Sequence, residues 1–143
     1  MDFNDLFLSL DGRIHRVRFW VGAVILLAIW FIIDAIFGNS TLAVILVTLV
    51  TLALFYPSYA VAAKRFQDRD KPGQTALYGL IPLLVASLLQ NFGLTGTPEA
   101  PNALAWICRM VTLGVGIWFL VELGILKGTT GSNRYGPDPL AGQ

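Results

Sequence analysis

Four long apolar runs, at about residues 19–37, 42–63, 74–92 and 104–126, are separated by short polar segments. Each has the ~20 residues needed to cross a hydrocarbon core, so the pattern predicts four transmembrane helices. Ahead of them, Phe3, Leu6, Phe7 and Leu10 recur at helical spacing behind Asp2, a good N-cap. That stretch, within residues 1–11, is too short to span and is expected to lie in the interface with this face toward the acyl chains. The whole chain, residues 1–143, then reads as one all-α membrane domain: a four-helix bundle preceded by a short amphipathic helix and followed by a tail over 127–143.

Two prolines, Pro57 and Pro82, fall inside the second and third runs and predict kinks, with a gating hinge as the functional alternative. The four-residue outer turn 38–41 makes the first two helices antiparallel neighbours. Asn39, Ser40 and Thr41 there spell a glycosylation sequon too close to a bilayer to be a good acceptor. The outer connection 93–103, with Gly93, Gly96, Pro98 and Pro101, reads as a flexible loop.

Charge adds orientation. Nine of the ten Lys and Arg residues lie before the first run, between the second and third, or after the fourth. Such segregation predicts both termini on the cytoplasmic side. A composition of 55% hydrophobic and 13% charged residues leaves too little polar surface for a soluble globule of 143 residues. A cleaved signal is disfavoured by the length of the first run and by the three that follow. Cys108, the single cysteine, permits no internal disulfide or thiolate metal set and is expected to pack as a small apolar residue.

Three ionisable residues fall inside the runs: Asp34, Arg109 and Glu122. At 1.5 Å per residue Asp34 lies ~5 Å and Arg109 ~8 Å from the outer end of their helices, which predicts an ion pair between them. Glu122 lies ~6 Å from the basic end of the fourth helix, with Arg18, Lys64 and Arg65 as expected partners. None of the three is at mid-depth, where a transported ion needs a site. The mid-span hydroxyls Thr48, Thr51, Ser87 and Thr112 are expected to bond helix backbone. Gly114 and Gly116 permit close approach of another helix, so a homo-oligomer, and with it a small transporter or channel subunit, stays an alternative.

Three polar motifs converge on the basic side: GRIHRVRFW from Gly12, AAKRFQDRDKPG from Ala62 and GTTGSNRYGPDP from Gly128. Spaced in this order over nearly the whole chain, they resemble the bacterial inner-membrane family known as domain of unknown function 805. The family pattern falls on Gly12, Arg13, Arg16, Phe19 and Trp20, on Arg65, Asp68 and Gly73, and on Gly131, Asn133, Tyr135, Gly136 and Pro137. The sequence departs from it at Lys64, where the family tends to have arginine, and at Gln67, where it tends to have histidine. The resemblance implies a multi-pass protein of the bacterial inner membrane and implies no activity.

Arg13, Arg16, Arg65, Asp68, Asn133 and Tyr135 are therefore expected in one cytoplasmic polar cap. Guanidinium forks suit phosphate and carboxylate, which points to membrane lipids, anionic phospholipid among them, or to a membrane or cytosolic protein partner. A purely structural network that locks the loops is the competing reading. Catalysis is not expected: His15 is the single histidine, no metal set, P-loop or dinucleotide fingerprint is present, and no cofactor is implied. The basic cluster is too small for nucleic acid.

Overall fold

In the computed structural model the described residues are 2–37 and 41–141; the side chains of residues 34, 37 and 41–43 lie outside the description. Helices account for 70% of the chain, and the described residues form no strand. The order is α1 (Phe3–Phe7), α2 (Arg16–Phe37), α3 (Thr41–Asp68), α4 (Leu77–Asn91) and α5 (Ala103–Phe119). A 3-10 turn (Gly73–Ala76) leads into α4, and a π-helical turn (Leu120–Ile125) prolongs α5. Four segments are long and apolar enough to cross a membrane: Arg16–Ile33, Val44–Asp68, Gly73–Asn91 and Ala103–Ile125. The expected outer turn and its sequon lie outside the described residues.

Successive spans pack as neighbours, α2 on α3, α3 on α4 and α4 on α5, while the π turn closes the fourth span onto α2 and α3. The closure is tight: a Cβ on Gly124 would lie 2.7 Å from Trp20 Cζ2, and Trp20 Nε1 donates to the Gly124 carbonyl at 3.3 Å. Likewise α4 meets the fourth span where Gly79 lies under Phe119, whose ring would be 2.5 Å from an added Cβ. The core is small and lies toward the basic end: Leu6, Ile14, Phe19, Val61, Phe66 and Leu123 cluster there. Phe66, fully buried, has the Trp118 and Phe119 rings at 5.8 and 6.1 Å. Elsewhere large apolar side chains such as Leu27, Phe31 and Met110 face outward, as a lipid-immersed surface requires.

Helix α3 runs five residues beyond its expected end, so residues 64–68 form its last turns rather than a loop. Pro57 and Pro82 each lie inside a continuous helix. Charge at residues 64–68 marked an exit from hydrocarbon, but burial of Ala62, Ala63 and Phe66 carries the helix on, and its charged side chains turn inward. Helix α1 is capped by Asp2, whose Oδ1 accepts from Asn4 N at 3.0 Å. Its apolar face divides: Leu6 is 2% exposed and packs beside Gly22 and Val61, while Phe3 stays 59% exposed. Two α3 side chains hold the segment, Lys64 donating to the Asp5 carbonyl and Tyr56 to that of Leu8. The connection after α4, expected to be loose, is tied by its own bonds: Asn102 caps α5 through Ala105 N at 3.0 Å and donates to Leu94 O at 2.8 Å.

Candidate functional site: a guanidinium-carboxylate cap

Residues 65 and 68 share one face of the last turn of α3, three positions apart. Asp68 holds two guanidinium groups, one on each oxygen: Arg13 Nε donates to Oδ1 at 3.1 Å and Arg65 to Oδ2. All three side chains are at most 4% exposed. Charges so deep persist only when paired and hydrogen-bonded, and the remaining donors are placed accordingly. Arg13 reaches the carbonyls of Gly131 (2.7 Å), Gly136 (3.2 Å) and Thr129 (2.6 Å). Arg65 reaches that of Leu123 (2.8 Å) and that of Leu126.

The tail is laid onto this centre. Thr129 N and Oγ1 both donate to the Asp68 carbonyl, at 2.9 and 3.0 Å. The same hydroxyl accepts from Arg13 and from Asn133 Nδ2, so its donor and both lone pairs are used. Asn133 Nδ2 also reaches the Gln67 carbonyl at 2.9 Å, and its Oδ1 takes the Tyr135 amide at 2.9 Å, forming an Asx turn. Gly128 must be glycine: an added Cβ would overlap the Asp68 carboxylate, 2.5 Å from its Cγ. Asp138 accepts from the amides of Gly131 and Leu140, both at 2.9 Å, and these bonds hold its carboxyl below the usual range.

The six residues expected in one cap thus divide into two sets. Arg13, Arg65, Asp68 and Asn133 form the bonded centre, and Tyr135 joins through its backbone while its ring lies 5.0 Å from the Arg134 guanidinium carbon. Arg16 stands apart, exposed, with no hydrogen bond or ion pair among the described residues. Glu122 differs from expectation: its partners are Arg69, at 2.8 Å, and Lys71, not Arg18, Lys64 or Arg65. Arg69 directly follows α3, and the chain then reverses through Asp70, in the left-handed region at φ 57°, so that Lys71 meets the same carboxylate. Lys64 is instead engaged with α1, and Arg65 with Asp68. For Asp34 and Arg109, the Asp34 side chain lies outside the described residues; Arg109 is exposed, its guanidinium carbon 4.9 Å from the Trp106 ring centroid.

Two neighbouring cavities open where the segment before α2 meets the tail, with volumes of ≈ 330 and ≈ 350 Å³. His15, Asp138 and Pro139 line both; Arg18 and Tyr135 line the first, and Arg16, Lys127 and Thr130 the second. Burial, then the charge of Arg18, pushes the His15 imidazole below its ordinary value. Sequence reasoning missed Lys127 and the threonines of the tail. Lys127 had a signal, a cation directly after a span; the carbonyls that receive Arg13 and Arg65 carry none, since any residue supplies one. Among the described residues no three His, Cys, Asp or Glu side chains converge as metal ligands would.

Four membrane-capable helices topped by a buried arginine-aspartate centre define a multi-pass helical membrane protein with a polar cap where the segment before α2 meets the tail after the fourth span. Residues 7–137 match the family described as "Protein of unknown function (DUF805)", and the chain belongs to that family. It is similar to the uncharacterized protein YiiR of Escherichia coli strain K12, 27% identical over 139 residues that cover 96% of this chain and 90% of the relative. It is also similar to the inner membrane protein YhaI of the same strain, 28% identical over 137 residues, 95% of this chain and 90% of the relative. No solved structure matches.

Proposed function

We propose that the protein is a non-catalytic, multi-pass component of a bacterial inner membrane, with both termini cytoplasmic, whose rigid cap receives the headgroups of anionic phospholipids. The observation that carries this reading is the division of labour among the cations. Arg13 and Arg65, which also line the cavities, are engaged by Asp68 and main-chain carbonyls, whereas Arg16, Arg18 and Lys127 line the cavities with no hydrogen bond or ion pair among the described residues. A cation near an anionic leaflet contributes about 1 kcal/mol, so three supply about 3 kcal/mol, roughly two orders of magnitude in occupancy. The cavities lie where α2 begins and the fourth span ends, at the edge of the membrane-capable segments, which supports a headgroup as the occupant. The relative YhaI, an inner membrane protein by name, supports the location, and the clustering of basic residues supports the orientation.

The test compares wild type with the triple variant Arg16→Ala, Arg18→Ala, Lys127→Ala, released from nanodiscs of mixed phosphatidylglycerol and phosphatidylcholine into a native mass spectrometer. Retained phosphatidylglycerol is expected on the wild type and is expected to vanish from a variant whose unfolding midpoint is unchanged. Equal retention by both proteins refutes the reading. Reporter fusions at the two ends check the orientation, and a periplasmic signal from either end overturns it.

A further inference from the structure

The cap offers two anion positions rather than one. Resting on the headgroup reading above, we infer that its ligand is a phospholipid carrying two phosphates on one headgroup, a diphosphatidylglycerol, held astride the wall between the two cavities. Arg18 lines the first cavity and not the second; Arg16 and Lys127 line the second and not the first. Each cavity is also lined by a residue whose side-chain hydroxyl has no hydrogen-bond partner among the described residues, Tyr135 in the first and Thr130 in the second. Each therefore has its own counter-charge and its own neutral donor, the equipment for one phosphate.

The wall they share is made by His15, Asp138 and Pro139. A bridge between two phosphates must pass over that wall, and the short uncharged glycerol link of a diphosphatidyl lipid would bring no further charge to Asp138. A lipid with one phosphate leaves one or two of the three cations uncompensated, and two such lipids lose translational freedom twice. Tethering the second phosphate makes its binding intramolecular, worth about 10²- to 10⁴-fold where the link reaches. The acyl chains have an exit: Val17, exposed at the start of α2, and Leu140, exposed in the tail, both line the second cavity.

The experiment uses the full chain in nanodiscs of phosphatidylcholine containing either cardiolipin or phosphatidylglycerol, matched for anionic phosphate, with lipid retention read by native mass spectrometry. One cardiolipin per chain is expected, retained about a hundredfold better than phosphatidylglycerol. Arg18→Ala alone, and Arg16→Ala with Lys127→Ala, are each expected to reduce cardiolipin retention to the level of phosphatidylglycerol. Equal retention of the two anionic lipids by wild type, or indifference of cardiolipin to Arg18→Ala, overturns the two-phosphate inference and leaves the headgroup reading standing. Retention of neither lipid above phosphatidylcholine overturns the headgroup reading itself. Inorganic pyrophosphate, titrated calorimetrically into the protein in detergent, separates a soluble diphosphate from a lipid: Arg18-dependent binding without any cardiolipin preference overturns the lipid assignment.

Discussion

Replacing Asp68 with asparagine keeps the size of the side chain and removes the one charge shared by Arg13 and Arg65. Both guanidinium groups would then be buried cations without a counter-ion, and the asparagine amide would present donors to donors on one side. Stripping one partner from a buried ion pair costs about 3 to 5 kcal/mol. Two charge-assisted bonds at about 1.5 to 3 kcal/mol each give a similar range. The carbonyls of Gly131, Gly136 and Thr129 stay with Arg13, and those of Leu123 and Leu126 with Arg65, which favours the lower part of it. A loss of about 3 kcal/mol is therefore expected, some two orders of magnitude in the folding equilibrium. Equilibrium unfolding in mixed micelles of a mild detergent and dodecyl sulfate, followed by tryptophan fluorescence, measures it. The matched control is Asp70→Asn, whose pair with Arg134 at 3.1 Å is about half exposed and should matter by less than about 0.5 kcal/mol. If Asp68→Asn lies within about 1 kcal/mol of wild type, the main-chain carbonyls alone satisfy the two arginines and the carboxylate is not the keystone of the cap.

Two further outcomes follow from the same geometry. Gly128→Ala forces a methyl into the Asp68 carboxylate and should be as damaging as Asp68→Asn, whereas Gly114→Ala, with nothing within 4 Å of the added Cβ, should be neutral or gain up to about 1 kcal/mol from helix propensity in the same unfolding assay. His15 is held below its ordinary value in the folded chain, so on acidification the unfolded chain takes up this proton first; lipid-free stability should be full above about pH 6.5 and decline as pH falls through that value, and His15→Gln should flatten the decline between about pH 7.5 and 5.5. Identical pH profiles for the two proteins would sink that assignment.

The spans were legible because hydrocarbon leaves no choice of residue type over ~20 positions. Arg13, Arg65, Asp68 and Asn133 were legible as a group because the three polar motifs that hold them fall on one side of the four spans. Their division of labour was not. Arg13 and Arg16 look alike in sequence, and what separates them is that Arg13 precedes α2, where it reaches under the tail, while Arg16 begins the helix and faces out. The partners of Glu122 are not legible from depth along a helix, because depth says nothing of a chain that doubles back at Asp70. The end of α3 is not legible from charge, because at residues 64–68 charge is a sign of pairing and not of water.

The π turn at Leu120–Ile125 makes the last span a counting device. Between them Glu122, Leu123, Gly124 and Leu126 receive Arg69, Arg65 and Trp20 through their carbonyls, so the turn and the residue after it form the socket into which the other elements plug. A π turn holds one residue more than the α-turn it replaces, and an α-helix rotates by about 100° per residue. Deleting a single residue there would leave a well-formed α-helix of unchanged hydropathy that still inserts, yet swing Gly128 and everything after it about a quarter-turn away from Asp68. Length variation is thus excluded from this short π segment, a constraint written in residue number rather than in residue type.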